Sequence, residues 1–140
     1  MTAPSQNLIL IPGLLCDARL WAHQTRHLAD CATIRIADTL QDDSVEDMAA
    51  RLLADAPDHF ALAGLSMGGY VAQEVMRQAP ERVSKLALLD TSPRADTPEQ
   101  TTRRRGLIEL ARKGRFKGVT PRLMPLLIHA DRMDDAALTQ

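Results

Sequence analysis

Aromatic side chains are scarce in this chain. Its 140 residues hold one Trp, one Tyr and two Phe: Trp21, Phe60, Tyr70 and Phe116. A platform that stacks nucleic-acid bases needs more of them. An excess of one charge is missing as well: 17 Lys+Arg face 18 Asp+Glu, for a formal net charge of −1. No nucleic-acid partner is expected from that balance. Only two cysteines occur, Cys16 and Cys31, without the paired spacing of a zinc site or a disulfide framework. They read as the reduced thiols of a cytoplasmic protein. No apolar run approaches the roughly 18 residues of a membrane helix, so no membrane partner is expected either. The segment Leu8–Cys16 superficially suggests a signal peptide. It lacks a basic leader, Pro12-Gly13 splits it, and bulky Leu15 stands where a small residue should precede cleavage.

What the chain does have is 45% hydrophobic residues, enough for one domain or part of one. Over the first 90 residues two periods alternate. Leu8-Ile9-Leu10-Ile11 is a short continuous apolar run ended by Pro12-Gly13, as for a strand buried on both faces. Asp17 is placed to cap a helix carrying Leu20, Trp21 and Leu28 to about Ala29. Thr33 to Ala37 reads as a second strand, nearer an edge because of Arg35. Ser44 caps the clearest helix, whose Val45, Met48, Ala49, Leu52, Leu53 and Ala56 form one apolar stripe. Phe60 to Ala63 is a third strand, ending at Gly64. A helix follows with Val71, Ala72, Val75 and Met76 inward and stops before Pro80. Val83 to Leu89 is a fourth strand, its Leu86–Leu89 run expected to be buried on both sides. This alternation predicts an α/β fold with a parallel sheet of about four strands and flanking helices.

From Thr91 to Pro98 the pattern lapses into a loop with two prolines. The remainder reads as helical: one helix with Leu107, Leu110, Ala111 and Gly114, another from Val119 to His129 around Pro121 and Pro125, and a last one near Asp134. The division is thus 1–92 for the sheet region and 93–140 for the helical one.

Gly64-Leu65-Ser66-Met67-Gly68-Gly69 lies between a buried strand and a helix. G-x-S-x-G in that context is the signature of a nucleophile elbow. A serine in a strained strand-to-helix turn draws backbone close on both sides, and Gly64 and Gly68 remove the side chains that would collide. Gly69 lets the helix pack tightly on the sheet. Ser66 is therefore the candidate catalytic residue, at the C-terminal edge of the sheet where open α/β sheets bind ligands. Acyl transfer also needs two N–H donors for the developing oxyanion. Met67, just after the serine, is one candidate, and Leu14, in the turn after the first strand, is the other.

These residues resemble the α/β-hydrolase family, particularly its compact esterase, acyl-hydrolase and cofactor-free haloperoxidase-like members. The resemblance runs from Asn7 to about Pro93 and includes Leu86-Ala87-Leu88-Leu89-Asp90-Thr91-Ser92-Pro93, similar to the family strand that leads into the lid. The helical remainder then resembles the start of that lid. Where the family often has His-Gly, this chain has Pro12-Gly13, which should leave the backbone donor intact. The family also places its acid and its histidine after two later strands, which this chain does not reach. The resemblance implies attack by Ser66 on an ester, thioester or related acyl group, with no metal and no organic cofactor. Perhydrolysis would use the same residues.

Ser66, Asp90 and His129 satisfy the family's order of nucleophile, acid and base in letters. Asp90 ends the strand beside the elbow strand, but its expected role is to cap the following loop, and His129 falls in a proline-bearing helical segment. His23, His27 and His59 are expected on the surface or a helix face. The alternative to a hydrolase is a catalytically incomplete fragment or binding domain, because a serine without a base is a poor nucleophile. Seven basic residues from Arg103 to Lys117 face one acid, Glu109, whereas seven acids from Asp38 to Asp58 face Arg51 alone. A solvated helix face explains the basic run; an anionic small-molecule acyl substrate or an acidic carrier protein is the other reading. The last strand's unpaired edge suggests a dimer or aggregate.

Overall fold

The computed structural model describes residues 6–115, 117, 118, 121 and 123–139. The chain divides into two compact units, Met1–Arg94 and Ala95–Gln140.

In the first unit, β1 (Asn7–Ile11) leads through a 3-10 turn (Ala18–Trp21) into α1 (Ala22–His27), then β2 (Thr33–Ile36), α2 (Val45–Asp55), β3 (Phe60–Leu65), α3 (Met67–Gln78), a second 3-10 turn (Pro80–Arg82) and β4 (Val83–Leu89). All pairings are parallel and the order across the sheet is β2-β1-β3-β4. The chain therefore moves outward from β1 to β2, then returns to place β3 on the other side of β1. Such a reversal opens a crevice at the C-terminal ends of the two central strands.

Two apolar layers hold this sheet. Ile9, Ile11, Phe60 and Leu62 pack with Ala49 and Leu52 of α2 and Val71, Ala72 and Val75 of α3. On the opposite face Leu10 and Ala63 pack with Trp21 from the first 3-10 turn. Successive residues of β1 thus enter different layers, which is why its sequence is apolar without alternation. Full burial of a side chain the size of Leu62 or Val71 is worth about 1.5–3 kcal/mol. Asp17 caps the first 3-10 turn by accepting from Arg19 N–H, and Ser44 caps α2 by accepting from Asp47 N–H. At the far end of α2, half-buried Arg82 donates to the carbonyls of Leu53 (3.0 Å), Ala56 (2.8 Å) and Pro57 (2.9 Å). It satisfies acceptors that the helix leaves open and puts a cation at the negative end of the helix dipole.

Several expectations need correction. The helix expected from Asp17 to about Ala29 is split into a 3-10 turn and a short α-helix ending at His27. β3 runs to Leu65, so Gly64 lies within the strand. Most importantly, Leu86, Leu88 and Leu89 are not buried: they are 42%, 43% and 40% exposed. A parallel strand is enclosed only when both flanks and both faces are covered, and among the described residues β4 is the outermost strand, paired with β3 alone.

The second unit is helical. α4 (Pro98–Arg112) opens with a capping box in which Thr97 and Gln100 satisfy each other's backbone N–H. Pro98, expected in the loop, is the first helical residue, where its missing N–H has no cost. Gly114, expected in the helix, lies just beyond it at φ +62°. There it permits the bonds Gly114 N–H to Ala111 (2.9 Å) and Arg115 N–H to Leu110 (2.8 Å) that close the helix end. Asp96 pairs with Arg104 (2.7 Å) and Glu109 with Arg112 (3.1 Å). Of the helix expected over Val119–His129, the four residues of α5 (Met124–Leu127) are helical, and residues 119, 120 and 122, like Phe116, lie outside the described residues. A 3-10 turn (Ala130–Arg132) and α6 (Ala136–Thr139) follow. Among the described residues no helix is long and apolar enough to cross a membrane.

Candidate active site

Among the described residues three non-glycine residues have a positive φ: Leu15 (+61°), Ser66 (+52°) and Asp90 (+44°). All three follow the C-terminal ends of strands, β1, β3 and β4 in turn. Backbone strain of this kind costs of order 1–3 kcal/mol per residue and gathers at functional sites. Ser66 is the most strained in kind, since φ +52° with ψ −113° is a combination close to glycine's own territory. It forms the N-cap of α3, and its side chain is exposed. The turn therefore carries its serine outward, beside a helix N-terminus that favours negative charge.

Neighbouring glycines make the turn possible. A Cβ on Gly64 would overlap the Gly68 carbonyl and stand 2.8 Å from Gly69 N. One on Gly68 would overlap the Ile11 carbonyl and stand 2.7 Å from the Pro12 oxygen. Gly69 serves a purpose the sequence did not suggest. The space its side chain would fill is occupied by Thr91, whose atoms lie 2.5 Å from the position of a Cβ there.

The turn after β1 stands beside the serine. Ser66 Cβ and Cys16 Sγ lie 3.6 Å and 3.8 Å from the point where a Gly13 Cβ would be. Leu14 is in this turn, which closes through Cys16 N–H to the Gly13 carbonyl (3.1 Å). Among the described residues the Leu14 N–H is donated to no protein acceptor. Met67 is the first residue of α3, and its N–H is one of the four that a helix leaves without an internal acceptor. The two expected oxyanion donors thus follow the C-terminal ends of the two central strands, Leu14 after β1 and Met67 after β3. Beyond the turn, Pro12, Cys16, Ala18, Ile36, Thr39 and Leu40 line a cavity of about 200 Å³.

Among the described residues the Ser66 hydroxyl makes no hydrogen bond. His59 precedes β3, so the six residues of that strand separate it from Ser66, about 20 Å at the usual rise. His23 and His27 are exposed on α1 with their rings 4.2 Å apart. His129, in the second unit, caps a local turn, its Nδ1 accepting from Asp131 N–H at 3.3 Å. Asp17, Asp42, Glu74 and Asp135 are lowered chiefly by local arginines, and Glu99 by hydrogen bonds at the start of α4. Arg19 holds Asp17 below the usual range, and Arg77 with Gln78 lowers Glu74 to about 2. Among the described residues no group of three or more His, Cys, Asp or Glu is placed to hold a metal ion.

No protein-family model matches the chain. Among curated proteins it is similar to the pimeloyl-[acyl-carrier protein] methyl ester esterase of Citrobacter koseri, with 35% identity over 95 residues, 62% of this chain and 37% of the relative. The protein of the same name from Pectobacterium carotovorum is 32% identical over 99 residues, 65% of this chain and 39% of the relative. The chain therefore spans less than two fifths of the length of these relatives. Among solved structures, a thermophilic esterase from Thermogutta terrifontis superposes with a TM-score of 0.62 at 29% identity, over 81% of this chain and 47% of that one. A thioesterase domain from the curacin biosynthetic pathway shares the fold, with a TM-score of 0.57 at 20% identity over 78% of this chain and 47% of that one. Relatives and architecture agree on one point: the chain has the α/β-hydrolase fold and is similar in sequence to esterases.

Proposed function

We propose that the protein is a serine hydrolase that cleaves an ester, thioester or related acyl substrate through an acyl-enzyme. The carrying observation is the strained, exposed Ser66 at the turn from β3 into α3. In this reading Ser66 Oγ attacks the carbonyl carbon and the carbonyl electron pair moves onto oxygen. The N–H groups of Leu14 and Met67 donate to that oxyanion, a contribution worth about 3–4 kcal/mol per donor in the transition state. A histidine acting as base takes the hydroxyl proton and passes it to the departing alcohol or thiol. Water then adds to the acyl-enzyme by the same route, releasing the acid and restoring Ser66. None of these steps calls for a metal or an organic cofactor.

The substrate is proposed to be anionic or carried on an acidic protein. The run of Arg103, Arg104, Arg105, Arg112, Lys113, Arg115 and Lys117 supports this, as do the acyl-carrier-protein esters named for the relatives. Replacing Arg103, Arg104 and Arg105 by Gln is then expected to slow cleavage of anionic esters and leave neutral ones unchanged. Equal effects on both would remove the steering argument. Two free cysteines support a reducing compartment, the cytoplasm.

A fluorophosphonate probe tests the reaction itself. Ser66 is expected to be labelled in the wild-type chain, and Ser66→Ala to abolish labelling. Labelling that survives Ser66→Ala would overturn the assignment. Labelling seen only in a longer polypeptide would mean that the 140-residue chain lacks a working base.

A further inference from the structure

The end of β4 grips the Ser66 turn from both sides. The Ser66 N–H donates to the Leu89 carbonyl at 2.9 Å, and Thr91 Oγ1 donates to the Ser66 carbonyl, also at 2.9 Å. Between these two contacts stands Asp90 at φ +44°, so the strand bends sharply to deliver both. The Ser66 carbonyl has a second donor, the Gly69 N–H at 2.9 Å. Half-buried Thr91 reaches it through the gap that Gly69 leaves, and Gln73 Nε2 ties the next residue down through the Ser92 carbonyl at 3.4 Å.

We propose that Thr91 is a positioning residue whose hydroxyl fixes the peptide between Ser66 and Met67 and so aims the Met67 N–H at the oxyanion. That peptide is planar. In a trans peptide the C=O and N–H point in opposite directions, so a hydroxyl that holds the Ser66 carbonyl on one side sets where the Met67 N–H points on the other. The same bond polarises the peptide and strengthens Met67 as a donor. It also helps to hold Ser66 in a conformation that the isolated backbone would leave. Thr91 touches no substrate in this arrangement. The proposal rests on the acyl-transfer reading of Ser66, and its test keeps the two separable.

Thr91→Val keeps the shape and removes the hydroxyl, whereas Thr91→Ser keeps the hydroxyl and removes the methyl group. Amide hydrogen exchange is read at Ser66 and Gly69 by NMR, and fluorophosphonate labelling at Ser66. Loss of one hydrogen bond is expected to speed exchange at these two amides and to slow labelling by about tenfold each in Thr91→Val. Amides within β1 should be unchanged, and Thr91→Ser should stay close to wild type in both measurements. Thr91→Val behaving as wild type would overturn the proposal. So would Thr91→Ser being as impaired as Thr91→Val, since packing would then be the cause. Faster exchange without slower labelling would likewise remove the positioning role. A wild-type chain in which Ser66 takes no probe would show that this chain lacks a working base, and the exchange measurement would still decide whether the hydroxyl holds the turn.

Discussion

Gly68 stands against the backbone of Ile11 with no room for a methyl group between them. This contact brings the start of α3 onto the end of β1, and with it the turn that carries Leu14. Gly68→Ala must therefore push the two apart. The expected cost is about 1–3 kcal/mol, as for other insertions into close-packed regions. Chemical denaturation measures it, and probe labelling of Ser66 should fall further than stability alone explains. Wild-type stability in Gly68→Ala would show that the contact yields easily.

Strain at Ser66 gives the opposite sign. Ser66→Gly retains the turn and relieves the positive φ, so it is expected to stabilise the fold by about 1 kcal/mol while removing the proposed nucleophile. Ser66→Ala keeps a Cβ and should gain nothing comparable. Thermal melting of the pair decides this, and equal melting temperatures would count against strain at the turn.

Arg82 joins the last carbonyls of α2 to the entry of β4. Its guanidinium also lies 5.8 Å from the centre of the Phe60 ring. Arg82→Ala leaves the carbonyls of Leu53, Ala56 and Pro57 without their donor, at an expected cost of about 2–3 kcal/mol. Arg82→Lys should recover only part of that, because an ammonium group lacks the planar fork. Full recovery in a denaturant titration would reduce the role of Arg82 to its charge.

The open side of β4 leads to a prediction about association. Its only charged residue is Lys85, near the strand's beginning, so Leu86 to Leu89 carry none of the charges that usually guard an edge. Sedimentation of the wild-type chain is expected to show concentration-dependent self-association, and Leu88→Lys to suppress it. A wild-type chain that stays monomeric at high concentration would contradict this.

Much of the sheet region was legible because its signals are local. Ser44 announces α2, the unbroken apolar run announces β1, and Gly64-Leu65-Ser66-Met67-Gly68 announces the turn. Burial of β4 was misjudged for the converse reason: Leu86-Ala87-Leu88-Leu89 looks the same whether or not neighbours cover it, and coverage is a property of the whole sheet. Nor could local pattern reveal that Thr91 fills the space at Gly69, or that Arg82 reaches three carbonyls more than twenty positions earlier. The left-handed backbone of Asp90 left only a faint trace, since Asp tolerates that region better than most residues do.

The order β2-β1-β3-β4 also bears on when the site comes into being. Leu14 and Ser66 are some fifty positions apart in the chain, and the pairing of β1 with β3 that unites them loops out all of β2 and α2. Contacts of such long range form slowly, because the intervening chain must be ordered first. Helices α2 and α3 can begin to coil early, but Ser66 and the turn that carries Leu14 meet only once the central strands have zipped together. Reactivity toward an acylating probe would then be among the last properties to return during refolding.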